Sequence, residues 1–200
     1  MSENDSIAKI KDDVEEYGKK IGAKTWFGFE EIDKLPSECE TMFVAERPST
    51  GKGDKDEFKK TFSGQRFDLF QKLRNDFFPN SSYATDCIKT CPINSWKDGP
   101  KRKRENEKDF EEQKEYLRRE IDCVKPSVIV PLGNEAERLI KKCVNEWEEF
   151  ERITLSDKIW HYSYRFEKDF TRKYEKKFQD LSHVVQKALR EMKARNLKST

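Results

Sequence analysis

The stretch Pro126-Ser127-Val128-Ile129-Val130-Pro131-Leu132-Gly133-Asn134-Glu135-Ala136 decides how the rest of the chain is read. Residues 127–132 (SVIVPL) are short, apolar and rich in β-branched side chains, the make-up of a strand buried on both faces. Gly133 ends the run, and a polar, helix-length segment follows over 134–147. Ala136, Leu139, Ile140 and Val144 fall on one face of that segment. A buried strand that leads straight into an amphipathic helix is half of a parallel β–α–β repeat.

The same pattern recurs on either side. Thr41–Ala45 (TMFVA), residues 83–88 (YATDCI) and residues 159–164 (IWHYSY) have strand composition. Helical segments are expected over 68–78 and over 105–124, where Phe110, Tyr116, Leu117, Ile121 and Val124 form a stripe. Residues 1–24 read as a solvated helix carrying Ile7, Ile10, Val14, Tyr17 and Ile21 at three- and four-residue steps. Residues 167–198 read as a highly charged helix whose Phe170, Tyr174, Phe178, Leu181, Val185 and Leu189 pack on the body. There is no internal repeat. The expected fold class is α/β: a three-layer α/β/α sandwich with a central four-stranded parallel sheet, plus N- and C-terminal helices. One domain is expected over 1–200, with its core at about 25–166 and a charged helix over 167–200. In such sheets ligands bind at the carboxyl ends of the strands, so the residues just after each run carry the chemistry.

Composition narrows the function. Of the 200 residues 40% are charged and 34% hydrophobic, and mean hydropathy is −1.04. No run of ~18 apolar residues exists, which excludes a membrane span. Residues 1–10 are polar and lack the apolar centre of a secretory signal. The 14 Phe and 4 Trp still supply a core. Five cysteines (Cys39, Cys87, Cys91, Cys123 and Cys143) are an odd number, as expected of reduced thiols in a cytoplasmic protein. Cys87 and Cys91 form a C-x3-C pair with no nearby His and no second pair, so free thiols are favoured over a structural zinc. Net charge is only +2, from 41 basic and 39 acidic residues, which taken alone argues against a nucleic-acid binder. The distribution says otherwise. Acids lie on helix faces and in the terminal segments, while Arg47, Lys52, Lys89 and the run Lys97-Asp98-Gly99-Pro100-Lys101-Arg102-Lys103-Arg104 cluster after strand ends. The run is expected as a basic loop on the ligand side, where phosphate binding is favoured over a nuclear address or plain solvation.

The strand-end residues form a recognisable set: Ala45-Glu46-Arg47-Pro48-Ser49, Thr61-Phe62-Ser63-Gly64 followed by Leu69 and Phe70, Tyr83-Ala84-Thr85-Asp86, the 126–136 stretch, and His161-Tyr162-Ser163. In order and spacing, over about residues 40–166, this set resembles the uracil-DNA glycosylase superfamily, most closely its family 4-like branch. The corresponding family motifs are G-E-x-P-G, P-F-V-G, Y-I-T-N, P-x-V-I-V-x-L-G-x-x-A and a late histidine motif. The resemblance implies a glycosylase fold and a base-excising hydrolase acting on DNA. The chain departs from the iron–sulphur members. Their K-C-R-P segment is here Lys89-Thr90-Cys91-Pro92, with the cysteine shifted by one; their helix cysteine falls at Gln113; their N-terminal C-x2-C is missing. No cluster is therefore expected, and neither a metal nor an organic cofactor is needed.

Roles follow from the chemistry of the reaction. The base must leave the stack, be held and read, and depart as its charge is stabilised while water attacks the sugar. Glu46 is expected to orient that water and stabilise positive charge on the sugar, and His161 to donate to the carbonyl oxygen of the leaving base. Phe62 is the stacking face, weighed against a plain core phenylalanine, and Ser49 joins the base-binding set. Tyr164 or Arg165 would wedge into the gap. His183 is read as surface or packing only.

Asp86 is the sharpest departure, because the family's usual residue there is Asn. An Asn amide has both a donor and an acceptor and pairs with uracil. An ionised Asp only accepts; a protonated one pairs with a cytosine-type edge, and burial favours that form. Arg47 stands where Ala or Asp is usual, either as a phosphate grip or as a charge that spoils ordinary activity. DNA contacts are expected from Arg47, Lys89, Lys97, Lys101, Arg102, Lys103, Arg104, Tyr164 and Arg165, with DNA as the partner, no membrane, and a monomer. The rival readings are a non-catalytic DNA-binding relative and a nucleotide hydrolase that ignores the basic run.

Overall fold

Every residue of Thr41–Ala45 is buried, and so is every residue of Ser82–Asp86 and Val128–Pro131, so three strands form the floor of the core. A computed structural model describes residues 6–25, 39–48, 65–78, 82–91, 99–161 and 169–196. Within them the order is α1 (Ile7–Ile21), β1 (Thr41–Ala45), α2 (Gln65–Phe77), β2 (Ser82–Asp86), α3 (Gly99–Val124), β3 (Val128–Pro131) and α4 (Asn134–Cys143). A 3-10 turn (Glu148–Glu151), β4 (Thr154–Leu155) and α5 (Phe170–Asn196) complete it. The sheet order is β2-β1-β3-β4, and every pairing is parallel. The expected α/β architecture with a four-stranded parallel sheet is what the chain adopts.

Alternation along the strands sends side chains to two layers. Phe43, Ala45, Ala84, Val128 and Val130 meet Phe70 and Leu73 of α2 and Tyr174, Phe178, Leu181 and Val185 of α5. On the other face Met42, Val44, Tyr83 and Ile129 meet Phe110, Leu117 and Ile121 of α3 and Ala136, Leu139 and Ile140 of α4. The Phe43 ring is the hinge of the first layer, with ring centroids of Phe70, Phe78 and Phe178 at 5.7, 5.4 and 5.8 Å.

Four expectations change. Composition points to a fourth strand at 159–164, but β4 is Thr154–Leu155, paired with Val128 and Ile129. Ile159 makes only an isolated parallel bridge to Leu132, and residues 162–168 lie outside the described residues. A two-residue edge strand shows no alternation, so the aromatic run downstream carries the stronger strand signal. The basic run is not all loop: from Gly99 it is the first turn of α3. Pro100 suits that turn, where its missing N–H removes no hydrogen bond, and Lys, Arg and Glu are good helix formers. Helix α1 is not merely solvated. Ile7, Ile10 and Val14 are buried, Arg119 of α3 pairs with Asp13, and Tyr17 donates to Glu112 at 3.0 Å. Tyr116 leaves the expected core stripe of α3 and stands against Tyr17, ring centroids 5.9 Å apart.

Candidate functional site

Parallel pairing brings the ends of β1, β2 and β3 to one edge. Ala45 is in register with Asp86, and the chain beyond β2 continues the ladder, with Cys87 N–H donating to the Ala45 carbonyl and Ile88 N–H to that of Glu46. On the other side Leu132 N–H donates to the Val44 carbonyl. Gly133 then turns with φ +90°, and a Cβ there would lie 3.3 Å from the His161 Cβ. At that φ a side chain would be strained, and its Cβ would crowd that of His161, so glycine suits this turn. Glu46 and His161, both half-buried, and the buried Asp86 therefore share the carboxyl edge of the sheet. His183 is exposed on α5.

Asp86 is 1% exposed. Neither carboxyl oxygen has a hydrogen-bond partner among the described residues. Burial pushes its pKa up to about 7; Lys89 and Arg47 pull it down, while Glu120 and Glu46 add to the rise. A carboxyl group so placed spends much of its time protonated near neutral pH, and can then donate as well as accept.

Two residues expected at the DNA surface are inside. Lys89 has no exposed surface. Its ammonium donates to Glu120 Oε2 (2.7 Å), Thr85 Oγ1 (2.7 Å) and the Asp86 carbonyl (2.6 Å), which uses all three of its protons. Glu120, also buried, accepts at its other oxygen from Thr85 and Tyr83. A lysine in a dry interior needs a counter-charge, and Glu120 supplies it. Lys89 is therefore a structural cation and not a phosphate contact.

Arg47 is 8% exposed. Its guanidinium donates to the Thr90 carbonyl from Nε (3.2 Å) and Nη2 (2.8 Å), and to Asn106 Oδ1 and Asp109 Oδ2 at 2.9 Å each. Burial lowers its pKa from the ordinary arginine value, and Asp109 offsets part of that. Its reach is taken up inside the protein, which overturns the phosphate grip. Of the basic run, Lys103 and Arg104 are exposed on α3, whose first turns also include positions 101 and 102; the side chains of Lys101 and Arg102 lie outside the described set. Ser49, Phe62, Lys97, Tyr164 and Arg165 fall outside the described residues.

The residues that sequence reasoning missed sit on α3. Asn106, Gln113 and Glu120 are buried and recur every seven positions, two turns apart on one face. Asn106 donates to Glu46 and accepts from Arg47. Gln113 accepts from Lys89 N–H at 2.9 Å and donates to Thr90 Oγ1 at 2.9 Å. Glu120 holds Lys89. The three are interleaved with the buried Phe110, Leu117 and Ile121, so the available signal was a polar residue at every second step of an otherwise apolar stripe.

The positions at which an iron–sulphur cluster would take cysteines do not suit one. Gln113 and Thr90 are bonded to each other, and a threonine and an amide offer no thiolate. Among the described residues no three His, Cys, Asp or Glu are grouped to hold a metal ion, and no helix is long and apolar enough to cross a membrane.

A family model described as "Uracil DNA glycosylase superfamily" matches residues 32–187. No curated protein matches the chain.

Proposed function

The chain belongs to the uracil-DNA glycosylase superfamily, whose members are in general DNA glycosylases, and on that premise we propose that it hydrolyses the N-glycosidic bond of a flipped, non-standard base and leaves an abasic site. Glu46 directs the water and stabilises charge on the sugar, His161 donates to the departing base, and Phe62 stacks on it, with Ser49 beside it. The start of α3, with Lys101, Arg102, Lys103 and Arg104, takes DNA phosphates together with Lys97; Tyr164 or Arg165 fills the gap in the duplex. The reaction needs no cofactor, and the protein acts as a cytoplasmic monomer.

One observation carries the choice of base: where the family usually places an amide, Asp86 is buried and has no partner among the described residues. A protonated Asp86 accepts from the exocyclic amine of a cytosine-type base and donates to its ring nitrogen. Uracil presents the reverse pattern, with a carbonyl where cytosine has the amine. Plain cytosine would make the enzyme a hazard to its own host, so the favoured target is a modified cytosine, as in foreign DNA, in base-excision repair or in defence. Oligonucleotides carrying uracil, hypoxanthine, cytosine, hydroxymethylcytosine and glucosylated hydroxymethylcytosine, followed by alkaline cleavage, test this. Cleavage confined to a cytosine-type base, with Asp86→Asn moving activity toward uracil, is the expected result. Rapid cleavage of uracil alone overturns the choice of base. DNA binding with no alkali-labile site for any base would make the chain a non-catalytic relative.

A further inference from the structure

Buried Asn106 joins two residues of the strand-end motif that are neighbours in sequence. An amide has one accepting atom and one donating group. Its Oδ1 accepts from Arg47 Nη1 at 2.9 Å, and its Nδ2 donates to Glu46 Oε1. The orientation of the amide is set from behind, since a guanidinium only donates and must face the oxygen. Arg47 is itself fixed, by two hydrogen bonds to the Thr90 carbonyl and an ion pair with Asp109 at 2.9 Å. The order of constraint runs from Thr90 and Asp109 to Arg47, from Arg47 to Asn106, and from Asn106 to one oxygen of Glu46.

We infer that Asn106 is the positioning residue of the Glu46 carboxylate and that Arg47 exists to aim Asn106. This rests on Glu46 as the water-directing group of the proposed reaction. It also gives the departure at Arg47 a use: the next residue in the chain supplies, through an amide on a distant helix, the hold on its own neighbour. A hydrogen bond that fixes how the carboxylate is turned sets the direction it presents to a water, and small errors in that direction are costly to rate.

Asn106→Asp is nearly isosteric, keeps an acceptor for Arg47 and removes the donor to Glu46. Single-turnover kcat on the preferred substrate falls about 100-fold while KM for DNA stays within about twofold. Asn106→Ser is made in parallel in case the first variant does not fold. Wild-type rates in folded variants overturn the inference, as does a loss confined to KM or to thermal stability. A second reading needs no activity. In the full chain labelled at asparagine side chains, the Asn106 NH2 resonance is shifted downfield and protected from exchange, and Glu46→Gln moves it. An unprotected resonance indifferent to Glu46→Gln also overturns the inference. A wild type inactive on every base would defeat the glycosylase reading, and the resonance would still decide the fate of Asn106.

Discussion

A buried carboxyl group with no partner among the described residues costs far more when charged than when neutral, so Asp86 ties stability to pH. Its pKa rises from 3.8 to about 7 on folding. The unfolded chain releases this proton first. The stabilisation from Asp86 is therefore complete below about 3.8, is lost progressively as pH rises, and is gone above about 7. Asp86→Asn should be more stable than the wild type at pH 8 and lose that advantage toward pH 4, read from urea midpoints across the range. Lys89 is the contrasting residue, equally buried but with three acceptors and Glu120 as counter-ion. Lys89→Met leaves the buried Glu120 carboxylate without its counter-ion, with Thr85 and Tyr83 as its hydrogen-bond donors, and should destabilise by about 3–5 kcal/mol, checked by denaturant unfolding. The difference between the two residues explains what was legible. Asp86 ends an apolar strand, and strand ends can be read from composition. The destination of Lys89 depends on Glu120, 31 positions away on α3, and no local pattern announces such a pairing.

Among the elements, α3 does two jobs at its two depths. Its exposed beginning holds Lys103 and Arg104, and its buried face anchors the exits of β1 and β2 through Asn106, Gln113 and Glu120. If the beginning grips phosphates, replacing Lys101, Arg102, Lys103 and Arg104 with Gln should weaken binding to all DNA sequences alike. The slope of log affinity against log salt should become shallower by about 0.9 for each phosphate no longer neutralised. Unchanged affinity at low salt would assign this turn another task. Strands β1, β2 and β3 were legible to within a residue or two at their starts because each is wholly buried and rich in β-branched, aromatic or small apolar side chains. β4 was not, because two residues on a sheet edge have too little pattern to detect. The helical start of α3 was missed because charge clustering looks the same in a loop and in a helix.

At the scale of the molecule, α5 is a wall of the core and not an appendage. Tyr174 and Phe178 have no exposed surface, and Phe178 stacks on Phe43 of the central strand. The family match likewise runs to residue 187, well into α5. Phe178→Ala should cost about 3–5 kcal/mol, measured by thermal or urea unfolding, because Phe43, Phe70, Phe78 and Tyr174 surround the space it leaves. The near-neutral total of +2 is also explained at this scale. Much of the charge is internal balance: Arg47 with Asp109, Lys89 with Glu120, and surface pairs such as Arg152 with Asp122. The sum says little about the face that meets a partner. The heptad placement of Asn106, Gln113 and Glu120 has an evolutionary corollary. One residue inserted or deleted between them would rotate everything beyond it by about 100° and turn an anchor toward solvent. Across descendants of this gene, length variation should collect before position 106 and after position 120, leaving the interval between them constant in length even where its outward-facing residues drift freely.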